Sequence, residues 1–221
     1  MLQNNLSLLL FNNKRSLEYL KCFKKHDKKL KRIIFVDNKK HSLNRNQIIK
    51  IINSKKTCSN NKILYGKSLN NKIVKYVMSQ SEKNFIVSLN HGEIVKNSKL
   101  LIKKNLIHFH PGRLPYFRGA TSIYYSLLKE KQIYCSCIIL SNKIDGGGIL
   151  FEKKFGFPKS KRSIDYDYDI EIRCKSLVYF IKNNKTFKIS NQKKILKHHY
   201  YLAHPIIRNL AFFKMFKNNK T

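Results

Sequence analysis

Two short stretches of the chain hold side chains whose types and spacing suit acid–base chemistry. The first is HFHPGRLPYFRG, residues 108–119, and its basic side chains are His108, His110, Arg113 and Arg118. The second is IDGGGIL, residues 144–150, in which Asp145 precedes a run of glycines. An imidazole beside a carboxylate is a standard acid–base pair, because the carboxylate orients the ring and stabilises its protonated form. Glycine also lets backbone N–H groups approach a flat ligand closely.

The first stretch is rich in residues that restrict the backbone. Residues 109–119 contain two of the chain's four prolines and two of its eight glycines. Proline fixes φ and glycine reaches φ values closed to other residues, so the cluster specifies a loop of one definite shape. Such a loop is either a corner of the fold or a rigid support for functional side chains. His108 and His110 favour the second interpretation, since residues two apart at a strand end share a face.

Short apolar runs alternate with helical patterns over most of the chain. Strands are predicted at residues 6–11, 33–36, 85–89, 106–109 and 133–140. Helices are predicted at residues 15–25, 45–53, 68–79 and 121–129. This alternation predicts an α/β fold with a mostly parallel sheet and helices on both faces. Ligands of such sheets bind beyond the carboxyl ends of the strands, so the loops 110–119 and 141–148 are expected at one edge.

The composition of the chain changes after about residue 155. We predict one domain over residues 1–155 and a short, mainly helical C-terminal extension over residues 156–221 that packs on it. The stretch SIDYDYDIEIR, residues 163–173, holds four of the twelve acidic residues. Because no His or Cys accompanies them, we expect pairing with nearby Lys and Arg and no metal site. The amphipathic run at residues 200–216 is predicted to dock on the domain as a closing helix, with a membrane surface as the alternative.

The charge of the chain is extreme, with 46 Lys and Arg against 12 Asp and Glu, a net charge of +34. One explanation is a polyanionic partner such as nucleic acid, since clustered cations bind phosphate backbones. The other is AT-biased coding, which enriches Lys, Asn and Ile together. Scattering of the cations along the whole chain favours the coding explanation. The charge would still attract a small anionic substrate.

The cysteines and the apolar runs indicate in which cellular compartment the protein is expected. The five cysteines are odd in number and show no CxxC spacing, which favours free thiols in a reducing cytoplasm. The N-terminus lacks the charged segment of a signal peptide. No run of 18 apolar residues is present, so no transmembrane helix is expected. We therefore expect a cytoplasmic protein.

Taken together, the two motifs resemble the N10-formyltetrahydrofolate-dependent formyltransferase family. His108-Phe109-His110-Pro111 is followed by LPYFRG and then by DGGGI at residues 145–149. The family's pattern is Asn-x-His-Pro, Leu-Pro-x-x-Arg-Gly and Asp-x-Gly-x-Ile. The resemblance covers about residues 84–155. It implies a Rossmann-like domain that binds N10-formyltetrahydrofolate and passes its formyl group to a primary amine.

The resemblance also implies roles for individual residues. His110 would stabilise the formyl oxygen as negative charge grows on it, and Asp145 would position His110 and help remove the amine proton. His108 stands where the family has Asn; an imidazole N–H can also donate to that oxygen, but a member that has lost its activity would show the same departure. The residues expected to contact the folate are Leu114, Ser141, Asn142, Lys143, Ile144, Gly146 and Gly147. Arg113 and Arg118 are expected to bind substrate or to support the loop.

The acceptor amine is open among several classes. Methionyl-tRNA formyltransferases carry a C-terminal domain longer than the segment that follows the match here. Purine-pathway transformylases have a glycine-rich phosphate loop after the first strand, whereas FNNKRSLEY, residues 11–19, has no glycine. We therefore favour an amino sugar linked to a nucleotide, as in short formyltransferases of surface-polysaccharide synthesis. The alternatives are methionyl-tRNA or glycinamide ribonucleotide as acceptor, or an inactive member that acts as a basic binding protein.

Overall fold

The fold of this protein is described from a computed structural model. The structure describes residues 6–39, 42–54, 58, 60–66, 68–90, 92–96, 98–158, 164–183, 187–192 and 199–217. The strands within these ranges are β1 Leu6–Phe11, β2 Arg32–Asp37, β3 Asn61–Tyr65, β4 Asn84–Ser88, β5 Asn105–His110, β6 Ile133–Ile139 and β7 Gly148–Phe155. They form a sheet in the order β3-β2-β1-β4-β5-β6-β7. The pairs β1–β2, β1–β4, β2–β3 and β4–β5 are parallel, and β6–β7 is antiparallel, which confirms the predicted α/β fold.

Most of the helices follow strands, as a parallel sheet requires. They are α1 Lys14–Lys25, α2 Leu43–Asn53, α3 Lys72–Ser79, α4 Ser98–Lys103, α5 Ser122–Glu130, α6 Asp169–Lys182 and α7 Pro205–Lys217. A π-helical turn at Ile164–Tyr168 leads into α6. The helices α1, α2 and α3 begin at side chains that accept a hydrogen bond from a first-turn N–H, namely Asn13, Ser42 and Asn71. These caps satisfy N–H groups that have no partner inside the helix.

Contacts within the chain define two compact units. Unit 1 comprises residues 1–108 and 177–187, and unit 2 comprises residues 109–176 and 188–221. In unit 1 the strands β1, β2 and β4 are buried along almost their whole length. Burial on both faces explains why they are continuous apolar runs and do not alternate. The division into residues 1–155 and 156–221 stays a prediction.

Several elements differ from the sequence-based expectations. The strands β3 and β7 and the helix α4 were not predicted. β3 and β7 are the outer strands of the sheet and are only partly buried, so their sequences NKILY and GILFEKKF carry a weak apolar signal. The helix expected from residue 68 begins at Lys72, because Asn71 caps it. The helix expected from residue 200 begins at Pro205, and residues 201–204 have no regular secondary structure.

Two of the four acidic residues in the stretch 163–173 form ion pairs along α6. Asp169 lies 2.9 Å from the Nε of Arg173, and Glu171 lies 2.5 Å from the Nζ of Lys175. The side chain of Asp165 lies outside the described residues. Nowhere in the described part of the chain do three or more His, Cys, Asp or Glu side chains group so as to hold a metal ion.

All five cysteines are free thiols. Burial raises the pKa of the Cys135 thiol to about 12, and burial also raises the pKa of Cys137 well above its ordinary value. Since the thiolate is the reactive form, both are unreactive core residues. None of the helices in the described ranges is both long enough and apolar enough to cross a membrane.

Candidate active site

The proline loop of unit 2, residues 111–119, is held in place by buried hydroxyl groups. Ser122 donates to the carbonyl of Pro111 at 2.8 Å. Ser136 on β6 donates to the carbonyl of Gly112 at 2.6 Å. The N–H of Leu114 donates to Glu152 on β7 at 3.0 Å. These bonds attach the loop to α5, β6 and β7, so it has the definite shape that its prolines and glycines predict.

His110 is the last residue of β5 and is 2% exposed. Its Nε2 lies 2.6 Å from the carbonyl oxygen of Phe117. A carbonyl only accepts, so Nε2 carries the proton in this hydrogen bond. A Cβ at Gly112 would lie 2.7 Å from Nε2 and 2.7 Å from the Phe117 oxygen. Residue 112 therefore has to be glycine for the ring to reach the Phe117 carbonyl.

Asp145 faces the other nitrogen of the same ring. Its Oδ2 lies 3.4 Å from Nδ1 of His110, as expected for an acid–base pair. The N–H of Gly119 donates to this oxygen at 2.8 Å, which fixes the carboxylate. The ring of His110 thus lies between two acceptors, the Phe117 carbonyl and the Asp145 carboxylate. An imidazolium, with a proton on each nitrogen, is the form that can donate to both.

Arg118 joins the proline loop to the second motif. It is buried, and its Nε donates to the carbonyl of Ile144 at 2.7 Å while a terminal nitrogen donates to the same oxygen. Burial lowers the pKa of the guanidinium, and the carboxylate of Asp145 opposes this shift. Arginine nevertheless stays charged in proteins. The guanidinium therefore bonds a backbone carbonyl next to Asp145. This contact favours loop support over substrate binding for Arg118.

Arg113 lies at the outer side of the loop and is half-buried. Its NH1 is 3.7 Å from Glu130, and its guanidinium lies over the rings of Tyr116 and Tyr134, at 5.5 and 5.3 Å from their centroids. Cation–π contacts of this kind contribute about 0.5–1 kcal/mol each at exposed sites. These contacts favour loop support over substrate binding for Arg113.

The glycine run after Asp145 is required by close approach within the chain itself. A Cβ on Gly147 would lie 1.7 Å from the carbonyl oxygen of Ile139, and one on Gly148 would lie 2.4 Å from the side chain of Ile189. A Cβ on Gly146 would lie 2.8 Å from the Cβ of Lys143. The sequence suggested that these glycines make room for a ligand. In the structure the room that they leave is filled by protein atoms.

We expect Gly147→Ala to destabilise the protein strongly, because its Cβ would overlap the backbone of β6. Overpacking of a core generally costs about 1–3 kcal/mol, and a backbone clash at 1.7 Å belongs at or above the top of that range. The matched control is Gly156→Ala, where an added Cβ would meet nothing within 4 Å. Chemical denaturation of both variants measures the two changes. Equal stabilities for Gly147→Ala and Gly156→Ala would contradict the arrangement of this loop.

The remaining residues expected to contact a folate lie in and near the 141–147 loop. Asn142 and Lys143 are exposed, Ser141, Ile144 and Gly146 are half-buried, and Leu114 and Gly147 are buried. His108 is half-buried on β5, two residues before His110, and belongs to unit 1. The roles of all these residues stay predictions.

The site contains residues that the sequence motifs do not indicate. Gln192 donates from its amide to the carbonyls of Asp145 and Gly147, at 2.8 Å each. Arg173 on α6 donates to the carbonyl of Phe109 and pairs with Asp169. Tyr200 pairs with Gly119 as a short parallel bridge. Hydrogen bonds to backbone groups have no signature in the sequence, because every residue carries these groups.

Comparison with known proteins gives matches of two kinds, while no family model matches the chain. Methionyl-tRNA formyltransferase of Finegoldia magna is 29% identical over 90 residues, 40% of this chain and 29% of that protein. The enzyme of the same name from Helicobacter pylori is 31% identical over 80 residues, 36% of this chain and 26% of that protein. The matches thus span less than a third of the length of these relatives.

Solved structures match over nearly the whole chain. An N-formyltransferase from Helicobacter canadensis, solved with folinic acid and dTDP-3-aminofucose, aligns with a TM-score of 0.60 at 16% identity, covering 97% of this chain and 82% of that one. A 4-N formyltransferase from Francisella tularensis aligns with a TM-score of 0.62 at 13% identity, covering 96% and 87%. Phosphoribosylglycinamide formyltransferase from Bacillus halodurans aligns with a TM-score of 0.54 at 12% identity, covering 81% and 97%. These likenesses establish a shared fold.

Proposed function

We propose that this chain is a formyltransferase, which transfers a formyl group from N10-formyltetrahydrofolate to a primary amine. Its fold and its partial sequence matches to methionyl-tRNA formyltransferases support this proposal. The observation that carries this proposal is the His110–Asp145 pair, with 3.4 Å between Nδ1 and Oδ2. Both residues occupy the positions at which the family's motif has its His and Asp. Reaction of an amine with a formyl group needs an oxyanion donor and a proton acceptor, and this pair supplies one of each.

N10-formyltetrahydrofolate would supply the formyl carbon that the amine attacks. In our proposal Nε2–H of His110 exchanges the Phe117 carbonyl for the formyl oxygen when the substrates bind, while Nδ1 stays against Asp145. Nε2–H then donates to that oxygen as negative charge grows on it and the new carbon–nitrogen bond forms. Asp145 holds the ring in its donating form and accepts the proton that the amine loses, directly or through a water molecule. The leaving N10 nitrogen must gain a proton as its bond to carbon breaks, so the same pair can return that proton. A donor at such a position typically contributes a factor of about 10²–10³ to the rate.

His108 would be the second donor to the same oxygen, at the position where the family has Asn. An imidazole N–H and an amide N–H are both hydrogen-bond donors, so the replacement preserves the chemistry. The residues of the 141–147 loop would hold the folate. They suit this role because Ser141, Asn142 and Lys143 are accessible while the far end of the loop is fixed by Arg118 and Gln192. A pterin has hydrogen-bond donors and acceptors along one edge. A loop whose backbone is accessible and already fixed can bind that edge without having to become ordered at each turnover.

For the acceptor we propose an amino sugar linked to a nucleotide. The turn after β1 argues against a ribosyl phosphate bound as in a phosphate loop, since the side chain of Asn13 already accepts from the N–H of Ser16 at 2.9 Å. That N–H is one of those that a phosphate would need at the start of α1. Two features support the proposal: the solved neighbour that carries dTDP-3-aminofucose, and the charge of +34, which favours an acceptor with a diphosphate.

Methionyl-tRNA is the second candidate acceptor. The partial matches to methionyl-tRNA formyltransferases favour it, and a charge of +34 also suits a polyanion. However, these matches cover 40% and 36% of this chain and 29% and 26% of the two relatives. They are therefore weak support for an acceptor that the whole relative binds.

The proposal is tested by formyl transfer from N10-formyltetrahydrofolate to a set of acceptors with the purified chain. We expect formylation of a dTDP-linked amino sugar, and no product with glycinamide ribonucleotide or methionyl-tRNA. Folinic acid at 100 times its Kd should stabilise the protein by about 2.7 kcal/mol, a rise in Tm of roughly 5–10 °C for a chain of this size. Product from methionyl-tRNA alone would reassign the acceptor. Absence of both transfer and a folinic acid shift would contradict the proposed function.

A further inference from the structure

We infer that the segment Tyr200–Ala203, here called the strap, is a positioning element for the His110–Asp145 pair. The strap lies in unit 2, between the described residues 187–192 and the helix α7. It is distant in sequence from both members of the pair, and none of the sequence motifs includes it. Its catalytic consequence rests on the proposed function, but its effect on the geometry of the pair does not.

The strap binds the backbone of the proline loop directly. The N–H of Tyr200 donates to the carbonyl of Arg118 at 2.8 Å, and the N–H of Ala120 donates to the carbonyl of Tyr200 at 2.8 Å. Between them lies Gly119, with φ of 98°. A Cβ at Gly119 would lie 2.2 Å from the carbonyl oxygen of Tyr200. Only glycine permits both this φ and this approach.

The same loop residues contact the acid–base pair on their other side. The carbonyl of Phe117 meets Nε2 of His110 at 2.6 Å, and the N–H of Gly119 meets Oδ2 of Asp145 at 2.8 Å. Residues 117–119 therefore lie between the strap and the pair. Movement of the strap would change the partners of both catalytic side chains at once.

The ring of Tyr200 adds side-chain contacts to this backbone pairing. It stacks on Tyr125 with centroids 4.3 Å apart and on Phe117 with centroids 5.8 Å apart, and Lys129 lies 5.3 Å from its centroid. Aromatic pairs of this kind stabilise a structure beyond the effect of the area that they bury. Because Phe117 supplies the carbonyl that His110 contacts, the Tyr200 ring is two contacts away from the catalytic imidazole.

Thr121 gives a second attachment between loop and strap. It precedes α5, yet its side chain makes no cap to the helix. Its hydroxyl instead accepts from the N–H of Ala203 at 2.8 Å and donates to the carbonyl of Tyr201 at 3.3 Å. Threonine at a helix start normally caps the first turn. Here the hydroxyl bonds the strap instead. Thr121 also has a φ of 48°, which is uncommon for a β-branched residue.

The contacts lead to a specific expectation for the reaction. A displacement of about 1 Å at a catalytic group can reduce the rate 10²-fold, even when its cause lies away from the reacting atoms. Loosening the strap should therefore lower kcat while leaving the KM for the folate donor within about twofold, since its hydrogen bonds and ring contacts attach it to residues 117–121 and Tyr125, at the side of the acid–base pair.

The test compares Tyr200→Ala with Tyr200→Phe and with Phe213→Ala. The first removes the ring contacts, the second keeps them, and the third removes an aromatic side chain of α7 that is 71% exposed. We expect kcat to fall tenfold or more in Tyr200→Ala and to stay within twofold in the other two. We also expect the NMR signals of the His110 imidazole to shift or broaden in Tyr200→Ala alone. Thr121→Val, which removes the hydroxyl attachment, should give the same signature more weakly and replaces Tyr200→Ala if that variant does not fold.

The NMR measurement separates the two hypotheses. If the wild-type protein transfers no formyl group but the His110 signals respond to Tyr200→Ala, the proposed function fails and the positioning role stands. If Tyr200→Ala or Thr121→Val loses stability while the His110 signals and kcat of the folded protein match those of Phe213→Ala, the strap is merely structural and the inference is wrong.

Discussion

Replacing His110 by alanine is expected to reduce formyl transfer by roughly 10²–10³, the usual result of deleting one donor to a developing oxyanion. The ring is 2% exposed and held between the Phe117 carbonyl and the Asp145 carboxylate, so it is ordered before the substrate arrives. A donor in a fixed position contributes in the transition state without being ordered at each turnover. Binding of folinic acid should change little, because the folate is proposed to rest on the 141–147 loop. Single-turnover kinetics and thermal shift with folinic acid measure the two quantities.

The matched variant for this prediction is His108→Asn, which restores the residue that the family pattern has. It should retain activity or increase it, since an amide N–H replaces an imidazole N–H as donor. His110→Asn, with a shorter donor, distinguishes loss of the donor from loss of buried volume. Full activity in His110→Ala would mean that the proline loop is only a corner of the fold.

Asp145→Asn is expected to lower kcat by about 10²–10⁴, the range that general acid–base catalysis contributes. The substitution keeps one oxygen that can accept from Gly119, replaces the other by an NH2 group and removes the negative charge. Without that charge the His110 ring loses the carboxylate that faces its Nδ1, and no carboxylate is present to take the proton of the amine. Steady-state kinetics of the two proteins measures the change in kcat. Asp167→Asn, at an exposed acidic residue in the turn before α6, is the control.

An unchanged kcat in Asp145→Asn would remove Asp145 from the proposed mechanism. A loss of activity together with a large fall in Tm would instead point to a structural role of the carboxylate. Such a role is reasonable because Asp145 accepts from the N–H of Gly119, and Gly119 also pairs with Tyr200 of the strap. Measuring Tm alongside kcat therefore separates proton transfer from loop support.

The sequence alone was sufficient to predict how the two motifs come together. The apolar runs at β1, β2, β4, β5 and β6 were recognisable because these strands are almost fully buried. Parallel topology then places the residues that follow strands at one edge, and His110 and Asp145 do lie 3.4 Å apart. Of the two roles expected for Arg118, substrate binding or loop support, its bond to the Ile144 carbonyl favours loop support. Periodicity and backbone sterics are local properties, so they can be read along the chain.

Tertiary structure alone decided which groups hold the site in place. Nothing in the sequence indicates that Arg118 meets Ile144, that Gln192 meets Asp145, or that Tyr200 pairs with Gly119. Tertiary structure also added a reason for the glycines after Asp145, since a Cβ on Gly147 or Gly148 would meet Ile139 of β6 or Ile189. The physical reason is the same in each case. Backbone carbonyls and N–H groups are identical at every position, so only the folded chain determines which of them meet a given side chain.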